Sequence, residues 1–183
     1  MKAGQFIRKF QALDGRGVTL RAPKWDDLDD ILEFINSLVD EGADIMVDTK
    51  QTREQEVEWL AGHITKIEND KEAIVVAEVD GRFVGQVEVT PRGMRSKHVG
   101  VLGIALKDGY REIGIGTELM KEAEVQSTRL GLEILNLEVF ATNERARHVY
   151  RKVGYREVGA WPRAIKRDGT YIDAVLMSKD LSG

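Results

Sequence analysis

Lys107-Asp108-Gly109-Tyr110-Arg111-Glu112-Ile113-Gly114-Ile115-Gly116 joins two unlike patterns. The run before it, Lys97–Leu106, is rich in Val, Ile and Leu and reads as a strand. Beyond it, from about Gly114 to Leu130, the residues Ile115, Leu119, Ala123 and Leu130 fall on one face at about 100° per residue, and Gly131 supplies a C-terminal stop. A strand thus feeds a glycine-rich turn and then an amphipathic helix. The first turn of such a helix presents N–H groups with no intrahelical acceptor at the positive end of the helix dipole, which suits a phosphate. Glycine lets that phosphate approach the backbone, and Arg111 can add a charged donor.

Outward from this junction, residues 17–22 read as a short strand, followed by Pro23 and a helix in which Leu28, Ile31, Leu32, Ile35 and Leu38 recur at helical spacing. A second helix starts near Thr52, where Thr52 and Gln55 fit a capping box and Val57, Leu60, Ile64 and Ile67 form the buried stripe. Glu72–Val79 and Arg82–Thr90 are β-rich runs around Asp80-Gly81, a two-residue hairpin turn. After the central helix come a strand over Ile134–Phe140, a helix capped by Asn143 and stopped at Gly154, and β-rich runs near Tyr155–Val158 and Thr170–Ser178. The expected fold class is α/β: a mixed, mostly antiparallel central sheet flanked by helices, in the order β-α-α-β-β-β-α-β-α-β-β.

The 183 residues fit one domain over 1–183, since domains commonly run to about 100–150 residues, and no repeat or linker marks a boundary. Hydrophobic residues make up 42% and charged residues 32%, which places the chain among globular proteins rather than disordered ones. With 27 Lys+Arg against 31 Asp+Glu, the net charge of -4 gives no general attraction to nucleic acid or anionic lipid. The chain has no cysteine, which excludes disulfides and thiolate catalysis and fits a reducing cytoplasm. Neither a signal peptide nor a membrane span is expected, and the 3 histidines show no metal-ligand spacing, so no metal is expected either. For partners, a homodimer is the base-rate expectation.

Two phosphate ligands are disfavoured. A dinucleotide fingerprint needs a third glycine where Leu119 stands, and needs βα units where antiparallel strands precede the turn. A P-loop needs Lys and then Ser or Thr after the second glycine of Gly109-Tyr-Arg-Glu-Ile-Gly114, but Ile115 and Gly116 follow.

Arg111-Glu-Ile-Gly-Ile-Gly116 resembles the Arg/Gln-x-x-Gly-x-Gly/Ala signature of the GNAT N-acetyltransferases. Downstream, Asn143-Glu-Arg-Ala146-Arg-His-Val149-Tyr150-Arg-Lys-Val-Gly154-Tyr155 is similar to the second signature of that family, an Asn, then Ala, then Tyr on a helix closing with Gly-Phe or Gly-Tyr. The resemblance runs closely over roughly residues 75–178. It implies an acetyl-CoA-dependent transfer of acetyl to a primary amine. The backbone of Arg111, Glu112, Ile113, Gly114, Ile115, Gly116 and Thr117 would hold the pyrophosphate, and the bulged end of the Leu102–Leu106 strand, chiefly Ile104, Ala105 and Leu106, would face the pantetheine arm. Asn143 and Ala146 would also bind the cofactor, Asn143 doubling as a helix N-cap. The chain's ending, Asp168-Gly-Thr-Tyr171-Ile-Asp173-Ala-Val-Leu-Met177, with Lys97-His98, looks like a subgroup that acetylates small amines such as amino acids.

The resemblance makes Tyr150 the general acid that protonates the departing thiolate, although its helix face, shared with Ala146, Val149 and Val153, also suits a core aromatic. The amine must lose a proton before attack, and Glu88 on a central strand is the first candidate base, with His98 and Glu138 behind it. Arg92, Arg95 and Lys97 form a basic stretch that reads as a solvated loop face or as a contact for an acidic substrate group. Without cysteine to carry an acyl group, direct attack in a ternary complex is expected. Two alternatives stay open: a non-catalytic acyl-CoA-binding module, and an acceptor that is a protein N-terminus or lysine.

Overall fold

Strand alternation decides which face of the sheet each helix covers. The computed structural model describes residues 1–182. It opens with β1 (Phe6–Gln11) and β2 (Gly17–Arg21), passes through α1 (Leu28–Asp40) and α2 (Arg53–Glu68), and continues with β3 (Ala73–Val79), β4 (Arg82–Pro91) and β5 (Val99–Leu106). Then come α3 (Ile115–Arg129), β6 (Ile134–Phe140), α4 (Glu144–Lys152), β7 (Arg156–Arg167) and β8 (Thr170–Asp180). The strands form one sheet in the order β1-β2-β3-β4-β5-β6-β8-β7, and every neighbouring pair is antiparallel except β5 with β6.

β3 is apolar on both faces because both are covered. On one side Val75, Val87, Val89 and Leu102 pack with Leu119, Met120 and Ala123 of α3. On the other, Val76 and Phe83 pack with Ile31 and Phe34 of α1 and Leu60 and Ile64 of α2, the Phe34 and Phe83 rings lying 5.0 Å apart. Burying a side chain of this size stabilises by about 1.5–3 kcal/mol, so these two stripes fix the helices to their faces. A buried ion group fixes where α1 begins: Arg21 donates to both oxygens of Asp27 at 2.7 Å and to Glu78 Oε2 at 2.7 Å.

The expected capping box is present, Thr52 accepting from Gln55 N and Gln55 accepting from Thr52 N. Asp80 (φ 50) and Gly81 (φ 76) both take positive φ in the expected two-residue hairpin, and Asp168 (φ 48) with Gly169 (φ 79) repeats the device between β7 and β8.

The sequence reading differs from the fold in two strands. It omits β1, an edge strand whose residues are exposed or half-buried and include Arg8 and Lys9, so that no clean alternation marks it. It also ends the run after Tyr155 at Val158, whereas β7 continues to Arg167. This strand is mostly exposed and carries Pro162, tolerated because β7 lies at the sheet edge and its register with β8 shifts between Trp161 and Ile165. Among the described residues, no helix is long and apolar enough to cross a membrane.

Candidate active site

The parallel strands β5 and β6 pair only where Val99–Val101 meet Ile134–Asn136. Past those residues they part, and the edge of β5 from Leu102 onward has no strand beside it. The gap opens into a cleft of about 1470 Å³, lined by Leu102–Leu106 on one flank, Leu137–Phe140 on the other, and by α1, the 41–47 segment, the 111–118 segment and α4. A bulge is expected to expose the end of β5, and this expectation is corrected: the β4–β5 register runs unbroken from Gly85↔Leu106 to Pro91↔Gly100. Divergence of the two strands, not an inserted residue, bares that backbone.

The loop between β5 and α3 is anchored by its carbonyls. Ile113 O accepts from Leu13 N at 2.9 Å, Gly109 O from Arg16 at 2.7 Å, and Leu106 O from Arg111 Nε at 2.9 Å. The N–H groups of Arg111, Glu112, Ile113 and Gly114, by contrast, donate to no group among the described residues. Glu112 (φ 64) and Gly114 (φ 89) are both left-handed. Left-handed residues set among right-handed ones curl successive amides into an anion-binding concavity. The conformation costs about 1–2 kcal/mol at a non-glycine residue, so Glu112 is held in it by the loop's anchors.

Gly114 is also the N-cap of α3 and brings no side chain to cap it. The first intrahelical bond is Glu118 N to Gly114 O at 3.1 Å, which leaves the amides of Ile115, Gly116 and Thr117 without an intrahelical acceptor. Asn143 does the opposite at α4, where its Oδ1 accepts from Ala146 N at 2.9 Å. Both Asn143 and Ala146 line the cleft, as do Ile104, Ala105, Leu106, Glu112, Ile113, Gly116 and Thr117. Ile115 does not line it; its side chain is wholly buried against the sheet, so only its backbone is available to a ligand. Arg111 lines the cleft, but its guanidinium is committed to Leu106 O and to the Glu41 carboxylate, bracing the loop against the end of α1.

Tyr150 lies half-buried on α4, lines the cleft, and sets its ring 6.3 Å from that of Tyr155 at a tilt of 54°. Burial pushes its pKa up to about 12. Glu88 enters the cleft from β4, and burial raises its carboxyl above the ordinary range, an effect the charge of His63 opposes and that of Glu72 reinforces. Glu138 lines the cleft from β6 and is exposed. His98 and the basic stretch Arg92, Arg95 and Lys97 lie outside the cleft lining, near the opposite end of β5.

The sequence reading misses several residues that shape the site. Gly103 stands opposite Glu88 and makes room for it, signalled only by a glycine inside a run of Val, Leu and Ile. Behind Glu88, His63 Nδ1 contacts the buried Glu72 carboxylate, Lys66 Nζ lies 3.3 Å from that carboxylate, and Trp59 packs on the His63 ring at 4.3 Å. Glu56, also buried on α2, has its carboxyl pushed up by burial. No local motif announces this group, because α2 and the start of β3 meet only in the fold.

Residues 33–155, which include Glu88, the 111–117 loop and α4, match the sequence model of the acetyltransferase (GNAT) family. The chain belongs to the GNAT acetyltransferase family. Among GNAT relatives it is similar to the L-amino acid N-acetyltransferase AaaT of Escherichia coli, 33% identical over 108 residues, which span 57% of this chain and 66% of the relative. It is similar also to an N-alpha-acetyltransferase of Sulfurisphaera tokodaii, 33% identical over 121 residues, covering 60% of this chain and 70% of that one. A GNAT acetyltransferase structure from Streptococcus pneumoniae superposes with a TM-score of 0.80 at 26% identity, covering 89% of this chain and 99% of the other. The GNAT fold expected from the two signatures is the fold observed, an eight-stranded and mostly antiparallel sheet with helices on both faces.

Proposed function

We propose that this GNAT enzyme transfers acetyl from acetyl-CoA to a primary amine by direct attack within a ternary complex. One observation carries the reading: a single cleft connects the free amides of the 111–117 loop to the Tyr150 side chain and the Glu88 carboxylate. The loop fits a diphosphate, because the carbonyls of Leu106, Gly109 and Ile113 are tied down, its amides are free, and Gly114 holds a φ of 89 that a side chain would strain. Amides from Arg111 to Thr117 would hold the diphosphate, and the bared edge of Ile104–Leu106 would pair with the amide-bearing arm. The bound thioester supplies an activated acyl carbon.

The remaining chemistry falls to this chain's side chains. Glu88, with its raised carboxyl, accepts a proton from the amine, which must be neutral to attack. The C–N bond forms as the C–S electron pair leaves with sulfur, the Tyr150 hydroxyl donating a hydrogen bond to it, and the second proton of the attacking nitrogen passes to the released thiolate, giving the amide and free CoA. With a pKa of about 12 that hydroxyl stays protonated at neutral pH. Complete transfer to a thiolate, whose conjugate thiol has a pKa of about 8.5, runs uphill, so Tyr150 acts chiefly as a hydrogen-bond donor to the developing charge.

The test is acetyl-CoA incubated with a panel of amines, amino acids and peptides, with free CoA and product mass both measured. Release of CoA matched by acetylated product is the expected result. Binding of acetyl-CoA without turnover of any amine would leave an acyl-CoA-binding protein and overturn the reading.

A further inference from the structure

The charge lining the cleft changes along its length. Around the loop and α4 it is mixed, with Arg111, Arg145 and Lys152 set among Glu112, Glu118 and Glu144, and Arg145 pairs with Glu112. The part walled by α1, the 41–47 segment, β4 and the outer half of β6 has no Lys, Arg or His among its described lining residues, and it carries Glu41, Asp44, Glu88 and Glu138. Glu41 is paired with Arg111, and Asp44 with Arg167 at 2.7 Å. Glu88 and Glu138 have neither an ion pair nor a hydrogen-bond donor among the described residues. The cations that border this part are committed elsewhere. His63 and Lys66 turn onto Glu72, and Arg167 also donates to Ala43 O at 3.0 Å while packing over the Phe140 ring at 4.8 Å. Of the remaining wall, Gln86 is polar, its buried Oε1 without a partner, and the rest is largely apolar and includes Phe34, Ile35, Met46 and Val47.

Resting on the acetyl-transfer reading above, we infer that the acceptor is an amine on an apolar group that carries no carboxylate, a peptide N-terminus or a simple apolar amine, and not a free amino acid. The unpaired carboxylates attract the protonated amine as it arrives. An α-carboxylate sits two bonds from the amine nitrogen, so an amine at Glu88 would hold it within about 6 Å of that charge. At an effective dielectric near 20, such repulsion costs on the order of a hundredfold in affinity. A site for free amino acids would need a free cation here, and Arg167, the candidate by position, is neutralised by Asp44. The exposed, adaptable Met46 beside Ile35 and Val47 suits a variable apolar side chain.

The experiment compares kcat/KM, at saturating acetyl-CoA, for leucine, leucinamide, a short peptide with N-terminal leucine, and 3-methylbutylamine, which is leucine without its carboxylate. The last compound is more basic than leucine, so a preference for it cannot arise from a larger neutral fraction. Leucine is expected to be poorer than each of the other three by at least tenfold. Asp44→Asn, which frees Arg167, is expected to raise leucine several-fold relative to 3-methylbutylamine, whose ammonium group the freed cation repels. Glu138→Gln should narrow the gap from the other side. Leucine equal to or better than its carboxylate-free counterparts overturns the inference, as does an Asp44→Asn variant in which leucine gains nothing relative to 3-methylbutylamine. Should no amine turn over, the transfer reading itself fails. Calorimetric binding of the same four compounds to the CoA-saturated protein then reads the ranking, and binding of leucine alone, or of none of them, overturns the inference.

Discussion

Gly103 faces Glu88 directly across the β4–β5 ladder, and a Cβ built on Gly103 would stand 2.9 Å from Glu88 Oε1. The carboxylate occupies the space a side chain would fill. Gly103→Ala should therefore push Glu88 aside at little cost to the fold, since the displaced atoms are the end of a flexible chain. Acetyl transfer is expected to fall at least about tenfold with the melting temperature changed by only a few degrees. The pH profile supplies the check. As a base Glu88 works when deprotonated, so the wild-type rate rises with pH through its raised pKa. That limb should vanish in Glu88→Gln and be distorted in Gly103→Ala. Identical profiles in all three proteins would remove Glu88 from the chemistry.

Gly114 isolates the conformational demand of the loop. A Cβ there meets Leu13 Cγ at 3.5 Å, an ordinary contact, so space is not the obstacle. The φ of 89 is, because a left-handed residue other than glycine costs about 1–2 kcal/mol. Gly114→Ala is expected to weaken acetyl-CoA binding by about 5–30-fold in calorimetry, the same penalty expressed as affinity, as the loop relaxes toward a conformation that scatters its amides. Unchanged affinity in a folded variant would show that these amides do not bind the diphosphate.

Tyr150→Phe keeps the ring against Ala146 and Val153 and removes only the hydroxyl. Hydrogen bonds to charged groups are worth about 1.5–3 kcal/mol, so kcat should fall by about 10–100-fold while acetyl-CoA affinity stays nearly constant. Single-turnover kinetics with quench analysis checks this, by ensuring that chemistry and not product release is measured. A kcat within about twofold of wild type assigns Tyr150 to the core.

Stability carries its own pH signature. Glu56 is buried on α2 with its carboxyl pushed up, chiefly by burial, which means that folding favours its protonated form. Its contribution is complete below the ordinary carboxylate pKa and is lost as pH rises through the elevated one. Glu56→Gln should thus raise the unfolding midpoint more at pH 8 than at pH 4 in denaturant titrations. An equal gain at both pH values would mean that packing, not charge, sets the effect.

Local signals carried much of this architecture. The Thr52 and Gln55 box, the Asp80-Gly81 turn and the Ile115, Leu119, Ala123 stripe each depend on residues within one turn or one helix, and each is present. The edge strands are harder to read, since β1 and β7 bury too little to impose a period, although Asp14-Gly15 between Phe10 and Val18 has the residues of a hairpin turn. At the site, both signatures converge on one cleft, yet the direction of the Arg111 side chain was not legible. It depends on Glu41, 70 residues away in sequence. The same applies to Gly103 and to the His63 and Glu72 pair, whose roles arise only once the strand register is set.

The short seam between β5 and β6 has a bearing on how this chain tolerates change. A one-residue slip in strand pairing reverses every side chain it reaches, and it travels through a sheet along continuous ladders. Here β6, β8 and β7 form one continuous block and β1 to β5 another, joined by the short Val99–Val101 ladder and by the bonds His98 O accepts beside it. An insertion or bulge acquired in the β7–β8 hairpin can shift its own block, but it meets a gap before it reaches the ladder that seats Glu88 and Ile104. The strands farthest along the sheet can thus shift without moving the carboxylate, whose own ladder is inherited intact.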